Sequence, residues 1–264
     1  MIWINLAATL IAVALTMAAT MAYALRTDNQ SIVDSVWGIG FVVIAVVSFV
    51  LSLVIADGNL VRATLALLLT AIWGVRLGAY IHNRNRGKGE DPRYAAMLRQ
   101  NQGPVAPFVL RKIYLPQGAV MWFVSLPVQI AMYQAEPLNA LTWIGVAFWI
   151  VGFAFEAIGD AQLAAFKADP ANKGRVMDRG LWAWTRHPNY FGDAAVWWGL
   201  FFISVGNPWA LLTVVCPVLM TYLLISKSGK ALTEKRMAKS KGQEFVDYVS
   251  RTSGFFPMPP RQRS

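Results

Sequence analysis

The sequence predicts an all-α integral membrane protein of seven transmembrane helices, with its N-terminus outside and its C-terminal tail in the cytoplasm. Three observations predict it. Hydrophobic residues make up 56% of the 264 residues, against about 45–50% in an average soluble domain. Apolar runs recur near 2–24, 32–55, 60–81, 115–133, 141–165, 191–205 and 209–226, several of them close to the roughly 20 residues that a helix needs to cross a bilayer. The basic residues gather in segments 83–114, 166–187 and 227–264, which share one side of a seven-span arrangement, and the positive-inside rule makes that side cytoplasmic. The net charge of +10 is therefore read as topology, with a smaller subset of cations available to an anionic cofactor. Nothing in the chain resembles a nucleic-acid module. One membrane-embedded domain, 1–264, is expected.

The first run, 2–24, has neither a basic start nor a small-residue cleavage site, and is read as a retained span rather than a signal peptide. The second opens on Ser31-Ile-Val-Asp34. An acid at membrane depth faces a cavity or pairs with a cation; at the interface it would instead cap the helix. A carboxyl that kept its proton there could donate to a substrate carbonyl. In the third run Trp73, Arg76, Tyr80 and Arg84 follow three- and four-residue steps and form one polar–aromatic stripe. Arg76 sits about two turns inside the boundary and needs an anionic partner, either Asp34 or a phosphate. His82 is read as an interface residue. The 83–114 loop is expected to hold a short amphipathic helix around Tyr94–Arg99, and Arg62 is the basic residue near the opposite side.

The fourth run is read only as a span. The fifth ends with Glu156, Asp160 and Lys167 on one helical face, Gln162 falling to the side. Two carboxylates inside a span are hard to explain as packing, and carboxylates suit ribose hydroxyls. No GxGxxG follows a strand, so helices would have to hold any nucleotide. The sixth run is short and polar at its start. Its entry, Gly180-Leu-Trp-Ala-Trp-Thr-Arg-His-Pro-Asn-Tyr-Phe-Gly-Asp193, sets Arg186, His187, Asn189, Tyr190 and Asp193 at the mouth of an apolar segment. Pro188 disfavours helix at His187 and suits the first turn of a helix starting there. Asn189, Asp193 and Trp197 then share one face. The seventh run passes into a basic helix in which Lys227, Lys230 and Glu234 either close over a cofactor or form solvated ion pairs. Phe245, Tyr248, Phe255 and Phe256 are expected to return the tail to the membrane surface. Two histidines and the single Cys216 cannot build a typical zinc site, and no covalent nucleophile motif is present.

The stretch Gly180–Gly192, the Glu156–Lys167 face, Arg76 with Tyr80, and Asp247-Tyr248 followed by Phe256-Pro257 together resemble the steroid 5α-reductase family, specifically its bacterial-type branch. The resemblance runs from about Asp34 onward. It implies seven transmembrane helices enclosing NADPH, with a lipid-accessible pocket beside the nicotinamide. Hydride would pass to the β-carbon of an α,β-unsaturated ketone such as a 3-oxo-Δ4 steroid, the protein orienting and polarising the carbonyl. By motif position Arg76, Asp160, Lys167, Asn189 and Asp193 would hold the cofactor, flanked by Arg186 and Tyr190. Glu156 and His187 join this set, as do Lys230 and Glu234 through a looser match in the tail. The family's animal enzymes polarise the carbonyl with a glutamate and a tyrosine; the counterparts here are Asp34 and Trp73, and Tyr80 on the same face could act instead. An indole N–H can donate a hydrogen bond but cannot transfer a proton as a phenol can. The implied partners are an enone steroid or lipid entering from the bilayer, and membrane lipids. The implied location is the bacterial inner membrane, or the endoplasmic reticulum if the source is eukaryotic. Arg186–Gly192 followed by Glu234 also resembles membrane methyltransferases that use S-adenosylmethionine on isoprenylcysteine or phospholipid head groups. A sterol- or lipid-binding protein without turnover is the remaining reading.

Overall fold

The computed structural model describes residues 1–261 except Ser228, and leaves the side chain of Lys227 undescribed; the expectation for Lys227 lies outside the described residues. The described chain is helical, with α1 Ile2–Thr27, α2 Ile32–Ile55, α3 Leu60–Asn85, α4 Pro92–Leu98, α5 Val105–Val109, α6 Leu115–Val124, α7 Leu126–Ala131, α8 Ala140–Ala168, α9 Leu181–Trp184, α10 Pro188–Ser204, α11 Val215–Tyr222, α12 Lys230–Lys241 and α13 Gln243–Arg251. Among the described residues, six segments are long and apolar enough to cross a membrane: Ile2–Thr27, Ile32–Ile55, Leu60–Asn85, Val105–Ala131, Ala140–Ala168 and Pro208–Lys241. This is a multi-pass membrane protein. The run expected as the sixth span folds as α10, which has 17 residues. At 1.5 Å per residue that is about 25 Å, short of the roughly 30 Å hydrocarbon core.

Two of the boundaries that differ from the apolar runs have a local reason. The fourth membrane segment starts at Val105 rather than Leu115. Pro116 cannot donate to the helical ladder, and the turn before it widens into a π-helix, Leu110–Tyr114, in which the Leu115 amide donates to the Leu110 carbonyl. Helix α3 runs on to Asn85, past the last apolar residue; Arg84 in its last turn remains helical with its side chain exposed. Ahead of α5, Asp91 caps α4 by accepting from the Arg93 amide at 2.8 Å, with Pro92 at the first helical position.

Contacts divide the chain into two compact units. The first is Met1–Asn139 with Ile203–Thr213. In it α2 and α3 meet backbone to backbone: a methyl group at Gly74 would stand 2.5 Å from the Gly38 carbonyl oxygen, the close approach that small residues permit between membrane helices. Trp73, fully buried, packs edge-on to Phe41 with ring centroids 5.6 Å apart. Polar side chains join α1 to α6 and α7, where Gln129 Oε1 accepts from Asn5 at 3.0 Å and Thr9 at 2.8 Å. Arg62, also fully buried, donates to the carbonyls of Ile203 at 2.7 Å and Pro137 at 2.7 Å. Its charge thus satisfies carbonyls that no helix would otherwise serve.

The second unit is Ala140–Phe202 with the chain from Val214 onward. Gly145, Gly152 and Gly159 recur every seven residues along α8 and receive α10. A methyl group at Gly199 would lie 2.6 Å from the Gly145 carbonyl oxygen, and one at Gly192 would lie 2.5 Å from the Glu156 amide nitrogen. The tail returns and packs on the rest of this unit. Phe245 and Tyr248 of α13 bury themselves against Val176, and Phe255 and Phe256 pack edge-on to Phe191 of α10.

Candidate functional site

The second unit gathers most of the sequence-predicted residues. Glu156 and Asp160 are 3% and 4% exposed. They share the α8 face that carries Gly152 and Gly159, so the glycine ridge that admits α10 also brings the acids onto its first turn. Asn189 Nδ2 donates to Asp160 Oδ1 at 3.2 Å, while the absent side chain of Gly192 leaves room for the backbone of Glu156. Lys167 is exposed near the C-terminal end of α8. Asp193 and the fully buried Trp197 continue the Asn189 face along α10. Gln162, expected to fall to the side, accepts from the Leu181 amide at 3.0 Å and so fixes the start of α9.

Glu234 of α12 is a hub. Its Oε1 accepts from Arg186 Nε at 2.8 Å and lies 3.1 Å from His187 Nε2, while Lys230 Nζ is 3.5 Å from Oε2. Tyr190 stacks on the His187 ring at 5.3 Å, and its hydroxyl lies 3.5 Å from Thr233 Oγ1. Burial pushes the His187 imidazole below its usual pKa, against the opposing pull of Glu234, so at neutral pH the ring is uncharged and Nε2–H donates. Arg186 also donates through Nη1 to the Thr252 carbonyl at 2.6 Å, and its amide donates to the Ser253 carbonyl at 2.9 Å. A methyl group at Gly254 would meet Lys230 Cε at 3.1 Å and Arg186 Nη2 at 3.2 Å. Two cations therefore face one carboxylate across a backbone stripped of side chain, leaving an excess of positive charge suited to an anion.

The return of the tail is expected from its aromatic residues, but the hydrogen bonds of the strap that completes this corner carry no sequence signal. Thr185 Oγ1 donates to the Phe255 carbonyl at 2.8 Å, Met258 N to the Trp184 carbonyl at 3.0 Å, and Tyr248 Oη to the Trp182 carbonyl at 2.6 Å. Beside it an apolar cavity of about 620 Å³ opens along α10, lined by Phe191, Ala194, Trp198, Phe148, Thr221 and Phe256 among others. Trp198 Nε1 donates to Thr221 Oγ1 at 3.2 Å within it.

The remaining predicted residues belong to the first unit. Asp34 is held at both oxygens: Arg93 Nη2 lies 2.5 Å from Oδ2, and Tyr94 Oη donates to Oδ1 at 2.6 Å. Of the readings open for Asp34, the structure shows pairing with a cation, and the cation is Arg93 of α4. Burial and the neighbouring Asp34 push the Tyr94 phenol above its usual range, so it keeps its proton. Burial of Arg93 disfavours its charge, but Asp91 and Asp34 outweigh that and raise its pKa. Gln117 Nε2 donates to Tyr94 Oη at 3.2 Å. Arg76 and Arg84 both stack over the Tyr80 ring, at 5.5 Å and 5.7 Å from its centroid. Trp73 is enclosed between α2 and α3. Sequence reasoning missed Arg93 and Tyr94 as partners of Asp34. The Asp91-Pro92 start of α4 is the signal that could have oriented them.

The family described as "Protein of unknown function (DUF1295)" matches residues 20–252. An uncharacterized protein of Schizosaccharomyces pombe, C594.04c, is 24% identical over 220 residues, covering 74% of this chain and 63% of the relative. The chain thus spans under two thirds of that relative's length. No solved structure matches.

Proposed function

The chain belongs to the DUF1295 family, and on that premise we propose that it is an NADPH-dependent membrane reductase of the steroid 5α-reductase type, saturating the C=C of an α,β-unsaturated ketone carried by a steroid or related lipid. The observation that carries the reading is the buried pair Glu156 and Asp160 on one face of a membrane helix, with Asn189 bonded to Asp160. Buried acids in a span are rare outside functional sites.

The residues present fit the cofactor's chemistry. Asp160, Glu156 and Asn189 offer acceptors and an amide to hydroxyl and carboxamide groups. Arg186 and Lys230, flanking the bare backbone at Gly254, offer positive charge to phosphates. Lys167, Tyr190 and Asp193 remain proposed members of the same set, and Arg76 of the first unit stays a proposed cofactor residue by motif position alone. Bound NADPH supplies the hydride for the β-carbon, and a proton completes the α-carbon. In the first unit, Tyr94 Oη holds its proton against Asp34. Redirected from Asp34 Oδ1 to a substrate carbonyl, that hydroxyl would be the polarising donor that the resemblance expects from a glutamate and a tyrosine, in place of Asp34 with Trp73 or Tyr80. The apolar cavity along α10 suits a lipid-like substrate body. In this reading α10 makes a seventh crossing, the N-terminus is outside, and the membrane is the bacterial inner membrane.

A second reading has its own observation. Arg186 and His187 both converge on Glu234, and these residues carry the likeness to S-adenosylmethionine-dependent membrane methyltransferases. Thermal unfolding of the detergent-purified protein with NADPH, NADH and S-adenosylmethionine separates the two. A ligand at about 100 times its dissociation constant adds roughly 2.7 kcal/mol. Stabilisation by NADPH, lost in Asp160→Ala and Asn189→Ala and accompanied by enone-dependent NADPH oxidation, supports the reductase. Stabilisation by S-adenosylmethionine alone overturns it, and no response to any of the three favours a non-enzymatic lipid-binding protein.

A further inference from the structure

The ends of α1, α2 and α3 and the turn after α3 enclose a cavity of about 260 Å³, room for roughly eight waters at about 30 Å³ each. Its charged lining comes from the turn Arg86-Gly87-Lys88-Gly89. The Arg86 and Lys88 side chains are exposed, and neither has a hydrogen-bond or ion-pair partner among the described residues. No acid lines the cavity. Glu90, the carboxylate next in sequence, is committed elsewhere: it accepts from the Gln30 amide at 2.5 Å, the Ser31 amide at 2.9 Å and the Ser31 hydroxyl. It therefore does not neutralise the two cations.

The turn is open as well as basic. Gly87 adopts a φ of +73°, and no atom lies within 4 Å of where a side chain would begin at Gly87 or Gly89. A ligand can thus reach the backbone between the two cations. Ser35 is 8% exposed and lines the same cavity; its hydroxyl makes no hydrogen bond among the described residues and is available to the occupant. The three helices whose ends form the walls are each long and apolar enough to cross a membrane. Tyr23, 57% exposed, stands at the rim, where interfacial tyrosines sit at headgroup level.

We propose that this cavity is a phosphate site occupied by the headgroup of an anionic phospholipid, with Arg86 and Lys88 pairing with the phosphate and Ser35 hydrogen-bonding to it. The two unpaired cations call for an anion, and the position at the ends of three membrane helices calls for one presented by the bilayer. This site lies within the first unit and does not depend on the reductase reading.

The test is thermal unfolding of the intact protein in an uncharged detergent, with phosphatidylglycerol, phosphatidylcholine or inorganic phosphate added, and with native mass spectrometry to count retained lipid. Phosphatidylglycerol should stabilise the wild type and remain bound, and phosphatidylcholine should do less. Arg86→Gln with Lys88→Gln should weaken apparent affinity for phosphatidylglycerol by about thirtyfold, taking about 1 kcal/mol per cation. Lys88→Glu alone, in an exposed turn that does not bear on folding, should abolish the response. Equal responses to the two lipids, or a full phosphatidylglycerol response in both variants, would overturn the proposal. Equal stabilisation by inorganic phosphate would reassign the site to a free anion and overturn the lipid assignment. An NADPH response lost in the variants while the lipid response persists would give the cations to the cofactor instead. An NADPH response absent from wild type and variants alike would sink the reductase reading and leave this one standing.

Discussion

Gly192→Ala tests whether the glycine contact between α8 and α10 positions the candidate site. The added methyl would stand 2.5 Å from both the Glu156 amide nitrogen and the Gly152 carbonyl oxygen, and 2.8 Å from Glu156 Cβ. Ordinary contact begins at 3.4 Å, so α10 must withdraw locally by about 0.9 Å. Both nearest atoms are helix backbone and cannot turn aside as a side-chain end would. Overpacking of this kind costs typically 1–3 kcal/mol, and loss of interhelical contact over the neighbouring turn puts the expectation near the top of that range. The same displacement opens the 3.2 Å bond from Asn189 to Asp160, three residues away from the substitution, beyond hydrogen-bonding distance. Thermal unfolding in detergent should therefore drop by about 6–12 °C, scaling from roughly 2–4 °C per kcal/mol for chains of this size, with any NADPH-induced shift lost. Gly118→Ala is the internal control. Its methyl would meet only the flexible Met17 side chain at 3.2 Å and Val13 at 3.4 Å, so a change under about 1 kcal/mol is expected. A Gly192→Ala protein that melts with the wild type would refute the reasoning, because the helices would then have slack that the geometry denies them.

Three further expectations follow from the same geometry. Glu234→Ala strips the carboxylate from Arg186, His187 and Lys230 and should destabilise by about 2–3 kcal/mol, as a charged hydrogen-bond acceptor serving buried donors; Glu234→Gln, which keeps one acceptor oxygen, should recover part of that in the same melt. His187 has a folded pKa below its unfolded value of about 6.5. Its contribution is therefore complete above pH 6.5 and declines as the pH falls from there toward the folded pKa. The wild-type melting temperature should accordingly drop more between pH 7.5 and 5 than that of His187→Gln, and parallel profiles would show that the ring does not titrate on unfolding. Tyr94→Phe removes the donor to Asp34 Oδ1 while Arg93 remains on Oδ2. It should cost about 1–2 kcal/mol of stability and, on the reductase reading, lower kcat for enone reduction with little change in KM; an unaltered kcat would remove Tyr94 from the chemistry.

Much of the helical layout is legible because apolar runs and helix lengths obey the same bilayer dimension. Boundaries slip where polar or proline residues end the apolar signal without ending the helix, as at Asn85 and Pro116. The acid face is legible because Glu156 and Asp160 are one turn apart. Their placement against Asn189 is not, since it depends on glycines in two helices meeting across the fold. The partner of Asp34 is hidden for the same kind of reason. Arg93 is 59 residues away in sequence and belongs to a short helix whose orientation no periodicity encodes. The convergence on Glu234 requires residues 186, 187 and 230 to meet in space, and nothing in the local pattern of α12 distinguishes that acid from a solvated one.

The strap through Thr252–Met258 has a consequence for how the protein matures. Helices α8 and α10 leave the ribosome well before it, already able to lock together through their glycines. Yet the carbonyl that holds Arg186 Nη1 and the one that holds the Arg186 amide come from Thr252 and Ser253. Insertion into the bilayer and completion of the motif are thus separate events in biosynthesis. A newly inserted chain carries the Arg186–Gly192 sequence in place but unfinished, until the tail folds back over it.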